Sequence, residues 1–149
     1  MSQINIKVAA IEQVTPLIKH FTFVREDGQL FPVFSGGSHV VVSMNINGRI
    51  QRNPYSLMGN PEETEAYHIS VRRQEKSRGG SLHMHDALKV GDSLQITFPV
   101  NLFALEKRAH KHLLIAGGIG ITPFMSQVAD LERNKANYEL HYAYRAPEH

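Results

Sequence analysis

The sequence predicts a mainly β fold in which a small antiparallel barrel or sandwich precedes a β-α-β unit. Up to about residue 100, short segments of alternating apolar and polar residues follow one another at close spacing, as in small antiparallel barrels and sandwiches. From His112 onward the pattern changes to an apolar strand, a glycine-rich turn, an amphipathic helix and a second apolar strand. The composition, with 42% hydrophobic and 20% charged residues in 149, is that of a globular chain.

The strands of the first part are predicted from alternation and from turn signals. The strongest turn signal is Asn47-Gly48, a pair that favours a tight hairpin and directly follows a β-branched segment. Strands are predicted at Ile4–Val8, around Phe21 and Phe23, and at His39–Ile46, Tyr55–Met58, Tyr67–Val71 and Ser93–Phe98.

The β-α-β unit is predicted from apolar strands at residues 112–116 and 138–144, which flank an amphipathic helix at 122–134. Thr122 is predicted as the N-cap of this helix, because its hydroxyl can accept a hydrogen bond from the first turn. Pro123 then takes the first helical position, where its missing N–H costs nothing.

The connector Ala104–Lys111 is rich in charge and marks the predicted domain boundary. We therefore predict a barrel domain over residues 1–105 and an incomplete α/β domain over residues 106–149. Two strands and one helix cannot bury both faces of a sheet. We expect residues 112–144 to be poorly supported unless they dock on the barrel or on a partner.

Charge and cysteine content narrow the functional classes. The net charge of +2 is small and the basic residues are scattered, so we expect no nucleic-acid partner. The chain has no cysteine, which excludes disulfides, thiolate catalysis and cysteine-ligated iron–sulfur clusters within it. Neither a signal-peptide pattern nor an apolar run of about 20 residues is present, so we expect a cytoplasmic protein with no membrane partner.

Three motifs suggest a cofactor site. The first is Gly118-x-Gly120-x-x-Pro123, where the absence of a Cβ lets backbone approach a ligand closely. An apolar strand, a tight turn and a helix start in this order can place a dinucleotide against backbone N–H groups. An ordinary strand-to-helix turn would give the same pattern.

The second motif is Arg78-Gly79-Gly80-Ser81, directly before a short predicted helix that ends near Gly91-Asp92. Backbone N–H groups and a hydroxyl at a helix start can bind an anion such as phosphate, and Arg78 adds positive charge. A flexible surface loop with a serine cap is the alternative interpretation.

The third motif is Arg52-Asn53-Pro54-Tyr55-Ser56-Leu57, in which an aromatic ring lies beside a hydroxyl on a strand. Such a pair can flank a flat heterocycle and hydrogen-bond its edge. An exposed strand without a ligand is again the alternative.

In this order the three motifs resemble the ferredoxin reductase superfamily, and most of all its phthalate dioxygenase reductase branch, the flavin reductases that serve Rieske-type oxygenases. The resemblance covers nearly the whole chain. It is carried by the segments RRQEKSRGGSLHMHD, PVNLFAL and AGGIGITP, which are similar to that branch in order and spacing.

The resemblance implies a fold and a function. A six-stranded antiparallel barrel would bind FMN, or FAD as in related branches, and the following α/β domain would bind NAD(P)H. A plant-type [2Fe–2S] domain often comes last in the family and lies outside this cysteine-free chain. The implied function is a flavin-dependent reductase that passes electrons from NAD(P)H through FMN to an iron–sulfur domain or protein and a Rieske-type oxygenase. A flavin-binding module without turnover and a non-catalytic β-barrel interaction domain are the alternatives.

The family's site residues carry over onto matching positions of this sequence. The resemblance implies that Tyr55 lies along the flavin after Pro54 and that Ser56 reaches its N5 region. It implies that Ser56 and Thr122 act at the reacting atoms. The other implied cofactor-binding residues are Ser70, Val71 and Arg72 through strand backbone, Gly79, Gly80 and Ser81 at the phosphate, and Gly118, Gly120 and Thr122 where nicotinamide meets flavin.

One position departs from the family pattern. The family has Arg two residues before the tyrosine, where it binds the flavin phosphate, and this chain has Asn53 there. Arg52 is one residue earlier, and a shift of one residue along a strand sends a side chain to the opposite face. We therefore expect Arg52 not to substitute, Asn53 to lie at the phosphate, and flavin to be held more weakly.

The nine histidines predict no native metal site. His83 and His85 are two residues apart on a predicted helix and so lie on different faces. His110 and His112 can share a strand face, but no third ligand is evident in the sequence.

Overall fold

The structure, a computed structural model, describes residues 3–146. The first part contains six strands and one helix: β1 (Gln3–Thr15), β2 (Ile18–Arg25), β3 (His39–Ile46), β4 (Arg49–Ser56), β5 (Tyr67–Arg72), α1 (Gly80–Asp86) and β6 (Ser93–Thr97). The second part contains β7 (His112–Gly117), a 3₁₀ turn (Gly118–Ile121), α2 (Thr122–Arg133) and β8 (Tyr138–Ala143). The prediction of a mainly β fold followed by a β-α-β unit is confirmed.

The six strands of the first part form one antiparallel sheet in the order β4-β3-β6-β1-β2-β5. The sheet curls into a half-barrel that brings its two edge strands together. β4 and β5 approach each other there, but no ladder of backbone hydrogen bonds joins them. The half-barrel is therefore open along one seam, between β4 and β5.

Alternating burial places the core inside this curl. Phe21, Phe23 and Ile69 are fully buried from neighbouring strands, as the period-two pattern predicts. Burying an apolar side chain of this size stabilises the fold by roughly 1.5–3 kcal/mol. The pairing of β2 with β5 is therefore held by side chains as well as by backbone hydrogen bonds.

The β3–β4 hairpin forms where Asn47-Gly48 predicts it. Both residues have positive φ, 53° and 83°, as a two-residue type I′ turn requires. The predicted strand at 55–58 is shifted, because β4 already begins at Arg49 and ends at Ser56. Pro54 is tolerated within β4 because β4 is an edge strand. Met58 contributes only an isolated bridge to His68.

The second part packs α2 against one face of the parallel pair β7–β8. Its buried apolar cluster consists of Leu114, Ala116, Phe124 and Leu131. The predicted N-cap at Thr122 is wrong. The 3₁₀ turn runs directly into α2, so the residue before Thr122 is already helical and no side chain caps the helix.

Helix α2 also docks on the half-barrel. Residues 112–144 therefore have the support that the sequence analysis required of them. The Gly36 N–H donates to Asp130 Oδ2 at 2.6 Å, and the Gly37 N–H donates to Ser126 Oγ at 3.0 Å. A Cβ on Gly37 would collide with the Phe103 carbonyl oxygen, and its φ is +97°. Glycine is therefore required at this contact. The division at residues 105 and 106 stays a prediction.

Neither α-helix of the described residues has the length and apolarity needed to cross a bilayer.

Candidate functional site

The open seam between β4 and β5 is a cleft of about 760 Å³. Its walls come from four places: one face of β4, the edge of β5, the start of α1 with the loop before it, and the 3₁₀ turn before α2. Ten of the residues predicted to bind cofactor line it: Asn53, Pro54, Tyr55, Ser56, Ser70, Arg72, Gly80, Ser81, Gly120 and Thr122. The three motifs, separated in sequence, therefore meet at one site.

The β4 wall is a row of alternate side chains. Gln51 Nε2 donates to Asn53 Oδ1 at 2.8 Å, and Asn53 Nδ2 donates to Tyr55 Oη at 3.3 Å. Burial raises the pKa of Tyr55 above its ordinary value, and the hydrogen bond from Asn53 opposes this only in part. The phenol therefore stays neutral and presents a flat ring with a hydroxyl to the cleft.

Arg52 lies on the other face of β4. It is exposed, pairs with Ser43 across the β3–β4 ladder, and does not line the cleft. The predicted placement of Arg52 away from the cleft agrees with the structure, and that it cannot replace an arginine at position 53 stays a prediction.

The β5 wall presents backbone as well as side chains. The Met58 N–H donates to the His68 carbonyl at 2.8 Å across the seam, whereas the Arg73 N–H donates to Leu17 on the opposite side. Backbone groups alternate in direction along a strand. Ser70 and Arg72 therefore direct their N–H and C=O groups toward the cleft, like His68.

Val71 points away from the cleft. Its side chain is buried in the core, and its carbonyl accepts a hydrogen bond from His85 Nε2 at 2.7 Å. Lys19 Nζ in turn donates to the His85 carbonyl at 2.6 Å. His85 and Lys19 thus tie α1 to β2 and β5, while Val71 contributes to this anchor rather than to the cleft wall.

Two hydrogen bonds between the Ser81 side chain and the Gln74 backbone hold the loop before α1 in place. The Ser81 hydroxyl accepts from the Gln74 N–H at 3.0 Å and donates to the Gln74 carbonyl at 3.4 Å. Lys76 and Arg78 from this loop line one end of the cleft, together with Arg72 of β5. That end is therefore positively charged.

Glycine is required where β4 meets α1. A Cβ on Gly80 would collide with the Asn53 side-chain amide and lie 3.2 Å from Met44 Cε. Gly79 precedes the helix with φ of 98°, a conformation that favours glycine. It does not line the cleft itself.

The far wall is the turn that starts α2. Gly120 and Thr122 face the cleft, and Thr122 is nearly buried. Gly118 instead lines a neighbouring cavity of about 420 Å³ with Arg72 and Tyr144. A second, apolar cleft of about 660 Å³ lies beside the first, between Tyr55 and Phe124.

Sequence reasoning missed several lining residues: Gln51, Gln74, Lys76, Ser77 and Ile119. The alternation of β4 would have indicated Gln51, since it shares a face with Asn53 and Tyr55. The others lie in turns, where no periodic pattern indicates which side a residue faces.

The histidines that the structure describes are not grouped as metal ligands. Within residues 3–146, no three side chains of the ligand types His, Cys, Asp and Glu are arranged to hold a metal ion. His85 is buried in its contact with Val71, and His83 of the same helix is only half-buried.

The chain is similar to known reductases along almost its whole length. It is 53% identical to the carnitine monooxygenase reductase subunit of Acinetobacter baumannii over 142 residues, which is 95% of this chain and 44% of that protein. It is 50% identical over 143 residues to the heme-dependent oxidative N-demethylase beta subunit of Ectopseudomonas mendocina, covering 96% of this chain and 45% of that protein. No family model matches.

Solved structures give the same result. Phthalate dioxygenase reductase, described as a modular structure for electron transfer from pyridine nucleotides to [2Fe–2S], superposes with a TM-score of 0.91 at 34% identity. The match covers 99% of this chain and 45% of that one. The chain belongs to the ferredoxin reductase superfamily, in its phthalate dioxygenase reductase branch. It spans about 45% of the length of the curated relatives it matches and corresponds to their N-terminal portion.

Proposed function

We propose that this chain is the flavin-binding part of an NAD(P)H-dependent reductase. It would pass electrons from NAD(P)H through FMN to an iron–sulfur acceptor and an oxygenase. The observation that carries the proposal is the convergence of the Tyr-Ser strand, the basic loop at α1 and the glycine turn on one cleft.

The cleft suits a flavin in size and chemistry. Its volume of about 760 Å³ falls within the range of roughly 300–1,000 Å³ typical of small-molecule sites. The ring of Tyr55 gives a flat apolar wall, and the edge of β5 gives backbone donors and acceptors for a heterocycle. The positive end formed by Lys76, Arg78 and Arg72 suits a phosphate.

Each wall would then have a separate role. Tyr55 would orient the ring system, and Ser56 would offer a hydroxyl near its reactive edge. Ser70 and Arg72 would bind the heterocycle through strand backbone. Gly80 and Ser81 would bind the phosphate through their backbone N–H groups, which lie in the first turn of α1.

The glycine turn would supply the approach for the second cofactor. Gly120 has no Cβ and lies across the cleft from Tyr55, so a nicotinamide could come close there. Thr122 would offer a hydrogen-bonding side chain where the nicotinamide approaches. The apolar cleft beside Thr122 would exclude water from that place. When bound, the flavin supplies the redox chemistry, since it accepts a hydride and releases electrons singly.

The names of the relatives suggest which electron-accepting partners this chain has. Those relatives are named as reductase subunits of a carnitine monooxygenase and as the beta subunit of a heme-dependent N-demethylase. The structural neighbour is described as transferring electrons to [2Fe–2S]. An iron–sulfur domain or protein and an oxygenase are therefore the partners we propose.

Flavin titration of the purified chain tests the proposal. We expect one equivalent of FMN to bind, with a shifted absorbance band near ~450 nm, the family expectation, and quenched fluorescence. Addition of NADH without oxygen then tests reduction of the bound flavin. A chain that binds neither FMN nor FAD would refute the proposal.

A further inference from the structure

A line of polar side chains runs along the outer face of β2 and β5 and ends at the cleft. Glu63 Oε2 lies 3.3 Å from His68 Nε2, and His68 Nδ1 lies 3.4 Å from His20 Nε2. His20 Nδ1 lies 3.1 Å from Ser70 Oγ. Ser70 also lines the cleft, so the line connects an outer carboxylate to the cleft wall.

The β2–β5 ladder holds these residues in place. His20 pairs directly with Ser70 across the two strands, and His68 pairs with Thr22. The two imidazole rings are nearly parallel, with 5.4 Å between their centroids and 19° between their planes. Strand register therefore sets the positions of His20, His68 and Ser70, and Glu63 reaches His68 from the loop before β5.

The carboxylate fixes the direction of the hydrogen bonds. Glu63 can only accept, so a neutral His68 beside it carries its proton on Nε2 and leaves Nδ1 as an acceptor. His20 then donates its Nε2–H to that atom, which leaves its own Nδ1 to accept the Ser70 hydroxyl proton. Thr22 Oγ1, 3.2 Å from His68 Nδ1, is the alternative donor to the single lone pair of that nitrogen.

We propose that His20 is a positioning residue that sets the hydrogen-bond direction of Ser70 toward flavin in the cleft. This inference rests on the proposed function. With His20 neutral, Ser70 donates to His20 and offers oxygen lone pairs to the cleft. When His20 takes up a proton from solvent, its Nδ1 becomes a donor, and the Ser70 hydroxyl proton turns toward the cleft. Ser70 then donates to the ligand where it previously accepted.

Burial and the charged groups around His20 determine the pH at which this reversal of the Ser70 hydrogen bond occurs. Burial lowers the pKa of His20 below its ordinary value, and positive charge on His68 lowers it further by repulsion. Glu12, opposite His20 on β1, acts in the other direction. The proton is therefore taken up on the acid side of the ordinary histidine range, about pH 6.5.

The test compares FMN dissociation constants of wild type and His20→Asn from about pH 5.5 to about 7.5. Asparagine keeps one polar atom near the Nδ1 position but does not titrate. The phosphate of FMN itself titrates near pH 6, so the measured quantity is the ratio of the two constants at each pH. We expect this ratio to change by about two- to tenfold across the range, the size of one hydrogen bond.

Three further measurements accompany it. In a chain that carries Ser70→Ala, FMN dissociation constants are again compared with and without His20→Asn. Their ratio should not vary with pH. His110→Asn, on an exposed histidine of the connector, should leave the wild-type profile unchanged. Imidazole ¹⁵N NMR at about pH 7.5 should show the proton of neutral His20 on Nε2.

The outcomes separate this inference from the proposed function. A ratio equal at every pH would mean a purely structural role for His20 and would overturn the inference. So would a neutral His20 with its proton on Nδ1. Failure of FMN to bind to any variant at any pH would instead refute the proposed function, and the inference with it.

Discussion

Replacing Asn53 by arginine should strengthen FMN binding. Position 53 lies on the cleft face of β4, next to Gly80 at the start of α1. A guanidinium there can reach toward the basic end where we place the phosphate. A charge-assisted contact of this kind contributes about 1.5–3 kcal/mol.

Two costs accompany this gain. The substitution removes the part-buried hydrogen bonds of Asn53 with Gln51 and Tyr55, which lowers the stability of free and FMN-bound protein alike by about 1 kcal/mol and so leaves the binding constant unchanged. The gain of about 1.5–3 kcal/mol corresponds to FMN binding that is about 10- to 150-fold tighter. The longer side chain must also pass Gly80, which favours the lower part of that range.

Isothermal titration with FMN and with riboflavin, which has no phosphate, measures the effect. Asn53→Arg should tighten FMN alone, and added salt should reduce the gain. Asn5→Arg, the same change on an exposed position of β1, should alter neither ligand. Equal tightening of riboflavin, or none of FMN, would refute the placement of the phosphate.

Three other substitutions test the fold around the site. Gly80→Ala should lower stability by about 1–3 kcal/mol because its Cβ collides with Asn53, and Asn53→Ala in the same chain should restore most of the loss in thermal denaturation. Gly37→Ala should cost at least about 1–3 kcal/mol from positive φ alone, with faster hydrogen exchange in α2; unchanged exchange would contradict the docking role. Because the folded pKa of His20 is lowered, the unfolded chain takes up its proton first, so stability should fall as the pH drops below about 6.5. Urea denaturation of His20→Asn should lack that part of the pH dependence.

Periodic signals predicted most of the fold. The alternation in β1, β2 and β5 and the Asn47-Gly48 turn gave strand positions and the hairpin directly, because each depends on neighbouring residues. The start of β4 was missed because its first two residues, Arg49 and Ile50, are both exposed and show no alternation of burial, as an edge strand allows. The cap at Thr122 was wrong because the preceding glycine turn is itself helical.

Contacts between distant residues could not be predicted in this way. The line from Glu63 to Ser70 depends on the register of β2 against β5, which the sequence alone does not specify. The docking of α2 depends on Gly36 and Gly37, whose need for glycine is visible only once Asp130 and Phe103 lie against them. The resemblance to a known family indicated ten of the cleft residues but not the anchor formed by His85.

The central claim is that the seam between β4 and β5 holds a phosphorylated flavin, and direct titration tests it. The purified chain, mixed with FMN and passed through a desalting column, should retain close to one equivalent of yellow flavin. Tyr55→Ala should retain far less, because the ring wall of the cleft is lost. A colourless wild-type protein after that column, with FMN and equally with FAD, would contradict the account.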